Sequence, residues 1–328
     1  MKKIIVVLMC VLFLGGGVFL YFNYNTNVLG VVSPLAENAL QTEGQLQVIF
    51  DRKTTQTYPP NVYFPKSLEP KYRETIDINS QAYAVMDRES GELLFGKNIT
   101  SESPIASVTK IMTAVVALEQ AALDVEIKVS SAAASIGEAE MGLTWGERVN
   151  VEELLYGLLL PSGNDAAEAL AEGVGGRTSF MIRMNEKAQS LGFYDTFFFN
   201  PSGLDGETRA TTNFSTALDL LALTNYALSN PTFAKIVATY YKEIPYKEGR
   251  HKAFYLNNIL QLDRSYPGIR GVKPGVTDFA GETLVSYAEN GGRKLIVVLL
   301  STQNSRDEVV KLYDYVFPKL GVKISGRT

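Results

Sequence analysis

Two pairs of short apolar segments stand at opposite ends of the folded part of this chain. Any stable fold must find partners for all four. The first pair, Ala82–Met86 and Glu92–Phe95, flanks Arg88-Glu89-Ser90-Gly91, a polar turn that predicts a hairpin. The second pair, Thr283–Ala288 and Leu295–Leu300, flanks Asn290-Gly291-Gly292. An isolated two-stranded hairpin is marginal in water, so the first and last strands are expected to share one antiparallel sheet. Between the pairs the apolar period becomes helical. Ser107–Gln120 brings Ile111, Ala114, Val115 and Leu118 to one face. Asn150 with Glu153 gives a capping-box start to Val151–Leu160, which Pro161 stops. Asn164 or Asp165 is expected to cap Ala166–Glu172. Thr178–Leu191 ends at Gly192, and Ser215–Leu228 closes before Pro231. Ser305 with Glu308 is expected to cap a last helix, Arg306 to about Phe317. This order predicts an α+β fold: an antiparallel sheet flanked by helices, a mainly helical lobe, and a cleft between them.

Ahead of this region, Lys2-Lys3 precede an uncharged run of 19 residues, Ile4–Phe22. As a helix that run is about 28 Å long, close to a bilayer core. Residues 1–23 therefore read as a membrane anchor with the bulk of the chain on the extracytoplasmic side. The rival reading is a cleaved signal segment with Gly15-Gly16-Gly17 as its small-residue site. Residues 24–75, rich in Asn, Thr, Gln and Pro, read as a stalk with a candidate strand near Leu46–Phe50. Residues 76–322 read as the folded domain.

Residue counts exclude several chemistries. The chain has one cysteine, Cys10, and one histidine, His251, so no internal disulfide forms and Cys/His zinc sites lack ligands. No metal or cofactor is expected. The net charge is −4 with no basic block, which argues against a nucleic-acid partner. A Ser–His–Asp triad would have to use His251, which lies in a polar stretch and reads as a solvated surface residue. Trp145, in Leu143-Thr144-Trp145-Gly146, reads as packing. A nucleophile in this chain must find a base other than histidine.

Three segments offer one. In Ser107-Val108-Thr109-Lys110, positions i and i+3 share a helix face, which sets the Lys110 amine against the Ser107 hydroxyl near free backbone N–H groups. A lysine serves as base when burial or a nearby cation lowers its pKa. Alone, the spacing is equally that of an ordinary helix start. In Pro161-Ser162-Gly163-Asn164-Asp165, an apolar helix stops and polar groups follow at its end; capping is the competing reading. In Gly271-Val272-Lys273-Pro274-Gly275-Val276-Thr277-Asp278, a cation and a glycine stand at a strand edge, or form a plain turn.

In this order the three segments follow the S-x-x-K, S-x-N and K-T-G pattern of penicillin-binding proteins. With Ala106–Ala114, Leu154–Ala167 and Asn200-Pro201-Ser202-Gly203-Leu204-Asp205, the chain resembles the low-molecular-mass D-alanyl-D-alanine carboxypeptidases over roughly Ala82–Leu300. The resemblance implies a β-lactamase/transpeptidase-like fold, with 76–322 as a serine DD-peptidase domain. It implies that the terminal D-alanine of peptidoglycan stem peptides is removed through an acyl-serine, and that β-lactams inhibit covalently. Ser107 is then the nucleophile, Lys110 its base, Ser162 a proton relay and Asn164 a substrate-positioning group. Lys273 holds the terminal carboxylate beside Gly275, Val276 and Thr277, and the Ser107 and Val276 N–H groups bind the oxyanion. Lys273 is also expected to depress the Lys110 pKa. Pro274 stands where the family usually has threonine, and Leu218 where it often has arginine. An endopeptidase and an inactive wall-binding homologue remain alternatives. A β-lactamase ranks last, since no Glu-x-x-Leu-Asn follows Asn164.

Overall fold

Strands β1 (Ala82–Asp87) and β2 (Glu92–Lys97) form the first hairpin, and the chain then leaves the sheet. It passes through β3 (Ser103–Pro104), α1 (Lys110–Gln120), β4 (Glu126–Lys128), β5 (Arg148–Asn150), α2 (Val151–Leu159), α3 (Asn164–Gly173) and α4 (Arg177–Ser190). Next come β6 (Phe214–Ser215), α5 (Ala217–Ala227), α6 (Pro231–Val237), β7 (Tyr241–Ile244) and β8 (Phe254–Asn257). It returns to the sheet as β9 (Ile269–Thr277), β10 (Gly281–Asn290) and β11 (Arg293–Thr302), and ends in α7 (Ser305–Lys319). The computed structural model describes residues 62–261 and 266–324. The expected anchor or signal segment and the Leu46–Phe50 strand lie outside them. Among the described residues no helix is long and apolar enough to cross a membrane.

The expected closure of the two hairpins into one antiparallel sheet is present, in the order β2-β1-β11-β10-β9. The register sets Ala82 opposite Leu300 and Asp87 opposite Leu295. Side chains alternate across the sheet. Ala82, Ala84, Met86, Ile296, Val298 and Leu300 enter the core shared with the helical lobe. Tyr83, Val85, Leu295, Val297 and Leu299 meet Val309, Leu312, Tyr313, Val316 and Phe317 of α7 on the other face. Both faces are covered, which is why β1 and β11 read as unbroken apolar runs rather than alternating ones. Each large β11 side chain contributes about 1.5–3 kcal/mol by burial, so a charged residue at Val297 would unseat α7.

Several local expectations change. Residues 62–75, read as the end of a stalk, lie on the domain. Phe64 is buried edge-on against Phe193 with ring centres 5.6 Å apart, and the Lys71 and Tyr72 N–H groups donate to the Leu93 and Leu94 carbonyls at 2.8 and 3.0 Å. The α2 capping box forms as expected. The α7 cap is instead Asn304, whose Oδ1 accepts from Asp307 N at 3.3 Å. Glu308 turns away and accepts from the Asn79 N–H at 2.7 Å and the Ser80 N–H at 3.2 Å, so it ties α7 to the entry of β1. Trp145 is 72% exposed rather than packed. His251 is buried rather than solvated, because its polar stretch folds onto the start of α2; its Nε2 lies 3.5 Å from Glu153 Oε2 and its ring 5.4 Å from that of Phe254.

Candidate active site

A 3-10 turn, Ala106–Thr109, precedes α1, where one continuous helix from Ser107 was expected. In a 3-10 turn side chains at i and i+3 eclipse, which stacks Lys110 on Ser107 more directly than an α-turn does. The turn is held in place by close approaches. Ala106 has φ 49°, left-handed for a residue with a Cβ, and Ser162 on the opposite wall has φ 69°. Such conformations cost about 1–3 kcal/mol each and persist where surrounding contacts over-determine them. At Ala106 two glycines supply those contacts. A Cβ on Gly203 would fall 2.0 Å from the Ala106 carbonyl oxygen, and one on Gly275 would fall 2.7 Å from the Ser107 nitrogen. Thr283 adds a hydroxyl bond of 3.1 Å to the Ile105 carbonyl.

Lys110 is fully buried, and its Nζ meets three oxygens: Ser107 Oγ at 3.0 Å, Asn164 Oδ1 at 2.7 Å and the Ser202 carbonyl at 2.6 Å. Burial lowers its pKa to about 7, against weaker opposing fields from Asp165 and Glu138. A neutral amine has two N–H donors and one lone pair. The Asn164 and Ser202 oxygens take the donors, which leaves the lone pair for the Ser107 proton. The Asn200-Pro201-Ser202-Gly203 segment thus supplies a main-chain ligand to the base. Its turn chemistry is visible in the sequence, since Asn200 Oδ1 accepts from Gly203 N at 2.7 Å.

Asn164 opens α3 and is not its cap; Gly163 is, without a side-chain bond. The Asn164 side chain joins three elements, since it also donates to the Gly137 carbonyl at 3.1 Å while its backbone N–H donates to Ala139 O at 2.7 Å. Asp165, expected as a possible cap, accepts from Ala166 N in the first turn of α3 at 2.8 Å and also from the N–H groups of Met141, Gly142 and Leu143, each at 2.8 Å. Its two oxygens thus tie the start of α3 to the 141–143 loop.

These groups face a cleft of about 410 Å³, within the range of small-molecule sites. Ser107, Ser162 and Asn164 line it from the helical side, and Gly275, Val276 and Thr277 from the edge strand β9. Pro274 also lines it, as expected of a position in phase with Val276 on an edge strand, where proline is tolerated. Val276 is 67% exposed.

Lys273, like Lys110, lies below the cleft surface. It is fully buried, outside the cleft lining, and donates to the Pro274 carbonyl at 3.0 Å. Burial first, and then the Lys110 charge, push its pKa well down. The two amines are thus coupled as expected, with burial the largest cause of the lowered pKa at each. The cation that does line the cleft is Arg306, on the first turn of α7, with Nη2 donating to the Ile259 carbonyl at 2.6 Å. Sequence reasoning passed over it as one charge in a polar helix start. Leu218, at the family's arginine position, is fully buried in the helical core.

A serine in a tight turn, a buried lysine of lowered pKa as base, and an edge strand across the cleft define an acyl-transferring serine hydrolase. Residues 69–304 match the peptidase S11 family, D-alanyl-D-alanine carboxypeptidase, and the chain belongs to that family of serine hydrolases. The chain is 33% identical over 272 residues to the Bacillus subtilis D-alanyl-D-alanine carboxypeptidase DacF, which covers 80% of this chain and 67% of the relative. Among solved structures it is similar to a Mycobacterium tuberculosis D-alanyl-D-alanine carboxypeptidase (TM-score 0.70, 33% identity, 77% of this chain and 96% of that one). It is also similar to the Streptomyces K15 DD-transpeptidase (TM-score 0.68, 31% identity, 75% of this chain and 100% of that one). The antiparallel sheet with its helical lobe is the fold of these penicillin-binding proteins.

Proposed function

We propose that the chain removes the terminal D-alanine from peptidoglycan stem peptides through an acyl-enzyme on Ser107, and that β-lactams trap that enzyme. The observation that carries this reading is the 3.0 Å contact between a buried lysine amine, poised near pH 7, and the Ser107 hydroxyl. Neutral Lys110 accepts the Ser107 proton as Oγ bonds to the carbonyl carbon of the penultimate D-alanine. The backbone N–H groups of Ser107 and Val276 take the developing oxyanion. The C–N bond breaks, and the proton passes through Ser162 to the leaving amine of the terminal D-alanine. Water then attacks the ester, gives a proton to Lys110, and releases the shortened stem as Ser107 is reprotonated.

Asn164 fixes both the base and the incoming amide. Arg306 and Thr277 hold the substrate carboxylate. Pro274 supplies neither a hydroxyl nor an N–H to that carboxylate. Residues 1–23 anchor the chain, or direct its export, with the domain on the extracytoplasmic side; Lys2-Lys3 and the 19-residue apolar run support this.

Intact-mass measurement after penicillin treatment tests the chemistry. One covalent adduct is expected on the native chain and none on Ser107→Ala. No adduct on the native chain, or one that survives Ser107→Ala, overturns the reading. Release of D-alanine from a pentapeptide separates the enzyme from an inactive wall-binding protein. Digestion of cross-linked muropeptides separates it from an endopeptidase.

A further inference from the structure

Three ionisable side chains line the cleft directly, and only one is uncommitted. Glu282 accepts from Ser305 N at 2.8 Å and from Ser305 Oγ at 2.7 Å. Arg306 is held to the Ile259 carbonyl and suits a substrate carboxylate. Glu138, on the helical wall, is exposed and makes no hydrogen bond or ion pair to another described residue.

Its backbone, in contrast, is fixed. Glu138 has φ 62°, in the left-handed region, and its two neighbours, Gly137 and Ala139, both give their carbonyls to Asn164, at 3.1 and 2.7 Å. The adjoining residues 141–143 are pinned by Asp165. A free carboxylate is therefore presented to the cleft on a rigid, strained backbone, tied to the residue that also holds the base. Rigid presentation of one unpaired charge is how a site selects a complementary charge.

We propose that Glu138 forms an ammonium subsite: it binds a primary amine on the side chain of the stem residue that precedes the two D-alanines. This rests on the proposed carboxypeptidase reading and specifies its substrate as zwitterionic. The carboxylate end lies by Arg306 on the sheet wall, and the amine by Glu138 on the helical wall. Glu138 also sends a field to Lys110 that favours the protonated amine. A role confined to that field would change the rate with pH identically for every substrate.

The test uses two pentapeptides that differ only in a free or an acetylated side-chain amine at the third position, with kcat/KM for D-alanine release as the readout. The native chain is expected to prefer the free amine by about fivefold, the size of a partly exposed ion pair. Glu138→Gln is expected to bring the ratio near one, and Glu138→Lys to invert it, with the penicillin adduct as evidence that each variant is folded. Equal rates in the native chain, or an unchanged preference in Glu138→Gln, overturns the subsite while leaving the carboxypeptidase reading intact. If neither peptide loses D-alanine and no adduct forms, both readings fall together.

Discussion

The two walls of the cleft are built on opposite plans. The helical wall works through side chains, each fixed by others: Lys110 by three oxygens, Asn164 by Lys110 and Gly137, and Asp165 by four N–H groups. On the sheet wall, apart from Glu282 and Arg306 near the start of α7, strand β9 itself is nearly bare. It presents Pro274, Gly275 and Val276 with one strand neighbour only, β10, and its lysine is buried. The difference teaches where precision is needed. Proton transfer requires donor and acceptor held to tenths of an ångström, so its groups sit in a bonded network. A peptide substrate can be held by the main chain of an edge strand, so that wall needs mainly closeness and an open side.

That contrast can be broken in order of effect. Lys110→Ala removes the centre of the bonded wall and is expected to slow penicillin acylation by about 10²–10⁴, the usual worth of a general base. An intact rate would show that the network does not supply the base. Lowering pH is milder. The amine is active when neutral, so acylation should rise with pH through about 7 and fall roughly tenfold per unit below it. A stopped-flow pH profile flat from pH 5 to 8 would assign the proton to another group.

On the bare wall, Gly275→Ala tests closeness. Its Cβ would press on the Ser107 nitrogen and lie 2.8 Å from Thr283 Oγ1, and a displacement of that kind is expected to cost acylation roughly tenfold to a hundredfold. Pro274→Thr should have the smallest effect. One added hydroxyl bond to the substrate carboxylate is worth about 1 kcal/mol, which would lower KM about fivefold with little change in kcat. A large kcat change would mean that β9 takes part in the chemistry as well as in binding.

What the sequence revealed divides along the same line. Ser107, Lys110, Ser162 and Asn164 stood out because three short motifs occur together in the family's order, each alone being ambiguous, and the sheet because its strands are apolar on both faces. Groups placed by distant packing were not. Lys273 reads as a strand-edge cation, and only the fold shows that it is fully buried and near enough to Lys110 to feel its charge. Arg306 reaches the cleft only because α7 starts where β11 ends. Glu308 reads as a capping partner, yet two N–H groups ahead of β1 outbid the helix for its carboxylate. Trp145 and His251 exchanged their expected environments, because residue type predicts burial only on average.

The position of β11 between β1 and β10 has a consequence for biogenesis. During synthesis β1 emerges early, and the strand that must lie beside it follows only after residues 88–292. At ribosomal speeds that gap of about 200 residues lasts on the order of 10–40 s. Throughout that interval the newborn β1–β2 hairpin carries a raw, sticky flank, and the nucleophile's turn has no β9 to rest on. The nucleophile's seat is thus complete only once β9 is made, and the sheet only once β11 is.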